Sequence, residues 1–176
     1  MTADADLTGL ILAGGGSRRM GADKAMLRYQ GVSLLQHARE MLQQCCAAKI
    51  HVVGRPEEAD GLPDEAPGSG PAHAIRSAAR RIGEGRLLVI PVDMPLLQPA
   101  DLLELTGPAS AWRDHPLPCL LPAAAAAQAP DSARSMRALL DACGAIWLDP
   151  GPGRPERLVN INTPEDAARL GLEPAP

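Results

Sequence analysis

The sequence predicts an α/β fold built on a mostly parallel sheet with helices on both faces, and three observations carry that expectation. Apolar runs of strand length recur at residues 7–12, 49–53 and 86–91. The third contains Leu87-Leu88-Val89-Ile90 without polar alternation, as in a strand buried on both sides. Helical patterns separate the runs, which is the order of a parallel sheet. The first run also breaks into glycines and cations at its carboxyl end, the edge where such sheets take their ligands.

Each element follows from local punctuation. Residues 7–12 form the first strand. Ser33-Leu34-Leu35-Gln36 is a capping-box pattern that opens a helix running to about Cys46. Residues 49–53 form a second strand, ended by Gly54-Arg55-Pro56, and the Pro-, Gly- and acid-rich stretch 56–70 reads as surface loop. Pro71 suits a first helical position and starts a helix to about Ile82, with Arg76, Arg80 and Arg81 on its wet side. After the strand at 86–91, residues 118–122 are a short strand and the alanine run 123–127 a helix. Residues 131–143 form an amphipathic helix closed by Gly144, with Met136, Leu139 and Leu140 in helical spacing. Residues 145–148 are another strand, and 151–155 a loop. Thr163-Pro164-Glu165-Asp166 is a helix start with an N-cap, a first-position proline and acids in the first turn.

The 176 residues fit one domain, 1–176, and 45% apolar content suffices for a full core. With no Phe and 2% aromatics, that core must be aliphatic. A net charge of −4 argues against a general nucleic-acid binder. The acidic start lacks a signal pattern and no apolar run reaches spanning length, so the expectation is a cytoplasmic protein without a membrane partner. Cys45, Cys46, Cys119 and Cys143 have spacing that suits neither zinc nor a disulfide framework, which leaves reduced thiols.

Leu10-Ile11-Leu12-Ala13-Gly14-Gly15-Gly16-Ser17-Arg18-Arg19-Met20-Gly21-Ala22-Asp23-Lys24 is the most informative stretch. Glycines let the backbone turn tightly and bring its N–H groups to a ligand. Arginine and lysine just beyond can neutralise phosphate oxygens held there. The spacing is neither a dinucleotide fingerprint nor a P-loop, since Arg19 stands where the first needs glycine and no Lys-Ser/Thr follows Gly21. Asp93, in Pro91-Val92-Asp93-Met94-Pro95, lies just past the third strand on the same sheet edge. It either caps a turn or holds a cation that bridges it to phosphates, Mg²⁺ being suited to one or two carboxylates plus phosphate and water. Alternation puts Asn160 and Asn162 on one face of a strand end, where their amides either grip a ligand or serve the following helix.

Together these segments resemble the MobA-type molybdenum cofactor guanylyltransferases nearly end to end. Leu12-Ala13-Gly14-Gly15, Arg18-Arg19-Met20-Gly21 and Asp23-Lys24 match that family's nucleotide loop, Gly70-Pro71 its second glycine motif, and Pro91 to Pro95 its metal motif. Arg113-Asp114-His115-Pro116 resembles the segment on its pterin side, and Asn160-Ile161-Asn162-Thr163-Pro164-Glu165 its closing signature. The resemblance implies a three-layer Rossmann-like nucleotidyltransferase fold, with a nucleotide-binding half at about 1–97 and an acceptor half at about 98–176. It implies transfer of GMP from GTP to molybdopterin, with pyrophosphate leaving. Leu12, Ala13, Gly14, Gly15, Lys24, Asp64 and Asp93 would contact GTP. Asp93 would hold Mg²⁺, Arg19 and Lys24 would stabilise the triphosphate, and His115, Asn160 and Asn162 would face molybdopterin. Molybdenum-insertion proteins and recipient molybdoenzymes would be the protein partners.

Two departures bear on the base. Ala72-His73-Ala74 follows Gly70-Pro71 where the family has Leu-Ala-Gly, and Gly54 stands where it tends to have Asn. Alternatives are a cytidylyltransferase acting on molybdopterin, a sugar- or alditol-phosphate nucleotidyltransferase, and a non-catalytic nucleotide-binding module.

Overall fold

The computed structural model describes residues 4–14, 23–45 and 47–174. In chain order the elements are β1 (Asp4–Leu12), a 3-10 turn (Lys24–Met26), β2 (Arg28–Tyr29), β3 (Val32–Ser33), α1 (Leu34–Gln44), β4 (Ala47–Val53), β5 (Gly61–Leu62), α2 (Pro71–Ile82), β6 (Arg86–Pro91) and α3 (Pro99–Leu103). There follow β7 (Ser110–Trp112), β8 (His115–Pro122), α4 (Ala123–Gln128), α5 (Met136–Ala142), β9 (Ile146–Leu148) and α6 (Pro164–Arg169).

Seven strands form one sheet in the order β5-β4-β1-β6-β8-β7-β9. Pairings β4–β5, β1–β4, β1–β6 and β7–β9 are parallel, and β8 alone of the seven runs against its neighbours β6 and β7. Alternation along each strand feeds two aliphatic cores. Ile11, Val52, Leu88, Ile90 and Leu120 face α1, α3 and α6, while Leu10, Val53, Leu87, Val89, Cys119 and Leu121 face α2, α4 and α5. This is the three-layer arrangement expected from strands buried on both faces.

The chain leaves β1 towards α1 on one face, and leaves β4 by way of β5 towards α2 on the other. The crevice between the carboxyl ends of β1 and β4 is therefore a topological switch point, where open α/β sheets bind ligands.

Several expectations are corrected. The stretch 56–70 contains β5, which extends the sheet by two residues beside Val52 and Val53. The strand expected at 118–122 begins at His115, and the helix expected from 131 begins at Met136, where Ser135 caps it by accepting from the Ala138 N–H. Ser33 caps α1, but Gln36 donates to Glu40 instead of closing a reciprocal box. Arg76 is not on the wet side of α2: it is 5% exposed, with its guanidinium donating to the Pro130 carbonyl at 2.7 Å. Asn160 and Asn162 lie in extended chain outside any strand. Cys45 and Cys119 are buried and Cys143 is half-buried, the Cys45 Sγ lying 3.8 Å from the Pro99 carbonyl oxygen, and Cys46 lies outside the described residues.

Candidate active site

The carboxyl edge of the sheet is assembled by backbone contacts before any side chain acts. Beyond β1, the Ala13 N–H donates to the Val53 carbonyl at 3.0 Å, and the Val92 N–H donates to the Leu12 carbonyl at 3.1 Å. Gly54 has φ +89°, and a Cβ there would lie 2.3 Å from the Gly14 Cα. A Cβ on Gly14 would in turn come 3.0 Å from the Gly54 Cα. Two bare backbones thus cross at the switch point, which explains why this chain has glycine rather than a larger residue at 54.

Beside that crossing is a cavity of about 170 Å³ lined by Leu12, Gly14, Val53, Asp64, Gly68, Gly70, Pro71 and Ala74. Asp64 is drawn in by its own loop, its Oδ1 accepting from the Ala66 N–H at 3.1 Å. It is the one ionisable group of the lining among the described residues. Ala74 contributes a methyl to this wall, whereas His73 lines a different cleft.

A polar cluster forms next to it, past β6. Lys24 Nζ donates to Asp93 Oδ2 at 3.0 Å, to the Ile161 carbonyl at 2.5 Å and to Asn162 Oδ1 at 3.3 Å. Asn160 Nδ2 donates to Asp93 Oδ1 at 2.6 Å, and the Ile161 N–H donates to the Asp93 carbonyl at 2.9 Å. The side chains of Lys24 and Asp93 keep 19% and 16% exposure, sheltered enough for their charges to matter and open enough to meet a ligand. Asp23 caps the 3-10 turn that carries Lys24, accepting from the Ala25 N–H at 3.1 Å, and pairs with Arg55. Asp23 thus positions Lys24 from beneath.

Four residues from three distant segments, Lys24, Asp93 and the pair Asn160 and Asn162, therefore meet at one point. Leu12, Ala13 and Gly14 lie at the end of β1 on the same edge, and Leu12, Gly14 and Asp64 line the cavity. His115 begins β8, which runs antiparallel to β6, so it stands on this same edge. Gly15, Arg18 and Arg19 lie outside the described residues. Sequence reasoning missed Val53 and Gly68 as lining residues; the glycine at 68 was the available signal and Val53 has no local mark, while Ala74, singled out with His73 as a departure bearing on the base, does line the cavity.

A family profile described as the MobA-like NTP transferase domain matches residues 9–146. The chain belongs to the MobA-like NTP transferase family. The "Molybdenum cofactor guanylyltransferase" of Xanthomonas euvesicatoria pv. vesicatoria is 36% identical over 183 residues, covering 97% of each chain. The protein of that name from Rhodobacter capsulatus is 36% identical over 183 residues, covering 93% of this chain and 94% of its own. Among solved structures, molybdopterin-guanine dinucleotide biosynthesis protein A from Archaeoglobus fulgidus superposes with a TM-score of 0.72 at 23% identity, covering 93% of this chain and 96% of the other. That likeness shows a shared nucleotidyltransferase fold. No helix among the described residues is long and apolar enough to cross a membrane.

Proposed function

We propose that this chain transfers GMP from GTP to molybdopterin, forming molybdopterin guanine dinucleotide and pyrophosphate. The observation that carries the reading is the meeting of Lys24, Asp93, Asn160 and Asn162 beside the glycine crossing, in a chain whose full-length relatives carry the guanylyltransferase name.

The nucleobase enters the cavity between Gly14 and Pro71, where the Asp64 carboxylate is the acceptor. Guanine presents two adjacent N–H donors along its pairing edge, and cytosine presents one amino group. A carboxylate accepts two parallel bonds, as it does from a guanidinium, so Asp64 favours guanine. A base that leaves that carboxylate half-paired pays for it in affinity. This argues against the cytidylyl alternative.

The triphosphate then lies over the Gly14 backbone towards Lys24, with Arg19 as a second cation. Asp93 fits the requirement for a Mg²⁺ carried in with phosphates, because such ions use one or two carboxylates rather than a protein cage. When bound, the ion would neutralise phosphate charge as pyrophosphate leaves. Asn160 steadies the Asp93 carboxylate. Asn162 and His115 face the acceptor, whose phosphate oxygen attacks the α-phosphorus. Such transfers depend on positioning and charge neutralisation more than on acid–base chemistry, so no nucleophile triad is needed. Residues 1–97 supply the nucleotide side and 98–176 the acceptor side of one domain.

The deciding experiment is a competition panel of GTP, CTP, ATP and UTP with Mg²⁺, followed by assay of dinucleotide formation from molybdopterin. GTP preference with product formation is expected. Preference for CTP would overturn the reading.

A further inference from the structure

On the far side of the first turns of α2 is a second cleft, of about 540 Å³, lined by Ser69, His73, Arg76, Asp131 and Arg134. None of these residues belongs to the site described above. Arg76 is 5% exposed, and its Nε is buried with no hydrogen-bond partner among the described residues. His73 Nδ1 is likewise buried and unpartnered among them. Buried donors and acceptors in native proteins are ordinarily satisfied, and both of these orphans belong to residues that line this one cleft. The charges say what kind of ligand the cleft suits. Two arginines face one carboxylate, and Asp131 is a weak counter-ion: its side chain is 92% exposed and lies 3.3 Å from the Arg76 guanidinium. The N-cap of α2 is Gly70, which offers no side-chain cap to the helix.

We propose that this cleft binds a phosphoryl group, held between Arg76 and Arg134 with Ser69 and His73 as further partners. Arginine's planar fork suits a tetrahedral oxyanion, and a phosphate displaces the exposed Asp131 from Arg76 at little cost. The site communicates with the base cavity through α2: His73 and Arg76 line the cleft, while Gly70, Pro71 and Ala74 of the same segment line the cavity with Asp64. An anion that draws in His73 and Arg76 shifts the neighbouring wall, so occupancy alters nucleotide affinity. This coupling rests on the nucleotide reading of the base cavity, whereas phosphate binding itself does not.

The test is titration of nucleotide-free protein with inorganic phosphate and, separately, ribose 5-phosphate, followed by ³¹P line broadening and calorimetry. Saturable binding of at least one is expected; phosphate alone identifies a free-anion site, and the ester alone a phosphorylated metabolite. Arg134→Gln, at an exposed position, should weaken binding about tenfold or more, as loss of a charge-assisted contact does. Asp131→Asn should tighten it, a gain that loss of folding cannot imitate. GTP affinity in phosphate-free buffer should be the same in Arg134→Gln as in the parent, and should change when the cleft ligand is added to the parent. No saturable binding of either probe, or binding indifferent to both substitutions, overturns the site. Binding without any effect on GTP overturns the coupling alone.

Discussion

Lys24 is a side chain whose removal should cost chemistry rather than stability. Its ammonium donates to the Asp93 carboxylate, the Ile161 carbonyl and the Asn162 amide oxygen at the carboxyl edge of the sheet, outside the two aliphatic cores. Lys24→Ala should lower the transfer rate about tenfold to a hundredfold or more, the equivalent of one charge-assisted contact that strengthens as pyrophosphate leaves. Its unfolding midpoint should stay close to that of the parent. A well-folded variant with unaltered turnover would remove Lys24 from the reaction. Asp93→Asn keeps the shape and loses the charge, so the Mg²⁺ requirement for turnover should rise steeply in a metal titration. Equal Mg²⁺ dependence in both proteins would reduce Asp93 to a turn residue. Gly54 tests the crossing itself. Gly54→Ala must place a methyl against the Gly14 backbone at positive φ, which should cost about 1–3 kcal/mol of stability by denaturant titration. It should also weaken GTP binding, because Gly14 is pushed out of line; full GTP affinity would show that the crossing does not shape the nucleotide site.

Among the elements, those that obey one local rule were legible in the sequence. Helix α2 spans Pro71–Ile82 as expected because its first-position proline and its apolar period agree. Strand β6 spans Arg86–Pro91, as a short apolar run with Val89 and Ile90, set between Gly85 and Pro91, leads one to expect. The Lys24, Asp93 and asparagine cluster was legible as separate motifs, although their meeting depends on the sheet order. What escaped depends on partners far along the chain. Asp101 is wholly buried in α3, and its carboxylate receives Arg154 Nε at 2.9 Å, Arg157 Nη2 at 2.6 Å and the Gln98 N–H at 3.0 Å. Arg154 also stacks 4.1 Å over the Trp112 ring, whose Nε1 donates to the Asp101 carbonyl. Thus the loop before Leu158, which reads as bare Gly-Pro-Arg, is bolted to α3 and β7. Burial pushes the Asp101 carboxyl up, but hydrogen bonds from Arg157, Arg154 and the Gln98 amide outweigh it, leaving its pKa below the ordinary value. A depressed carboxyl contributes stability above its unfolded pKa of about 4 and loses it as pH falls through the folded value. Stability should therefore decline on acidification below about pH 4, and Asp101→Asn should flatten that part of the profile. The same substitution leaves two arginines without their shared counter-charge and should cost about 3–5 kcal/mol at neutral pH. A neutral-pH loss well under that range would mean that the arginines find other partners.

At the scale of the whole molecule, strand order spreads the residues of the proposed site along one edge. The β5-β4-β1 end carries Gly14, Val53 and Asp64 around the base cavity, and the β8-β7-β9 end carries His115 at the start of its reversed strand. Between them, β6 delivers Asp93, and the chain returns late to pin Asn160 and Asn162 against it. On the proposed function, the reacting phosphates lie in the middle, with the base to one side and the acceptor to the other. That division predicts opposite kinetic signatures for two substitutions. Asp64→Ala should raise the GTP Kd about tenfold or more and erode its preference over CTP, because the acceptor for the base's donors is gone. It should leave the KM for molybdopterin close to the parent value. His115→Ala should raise the molybdopterin KM and leave the GTP Kd unchanged, since its strand lies two positions beyond β1 in the sheet. Equilibrium binding of GTP and initial-rate kinetics with varied molybdopterin measure the two effects separately. If His115→Ala weakens GTP as much as Asp64→Ala does, the substrates share one pocket and the division of the edge is wrong. If neither substitution moves either constant, Asp64 and His115 both leave the proposed site.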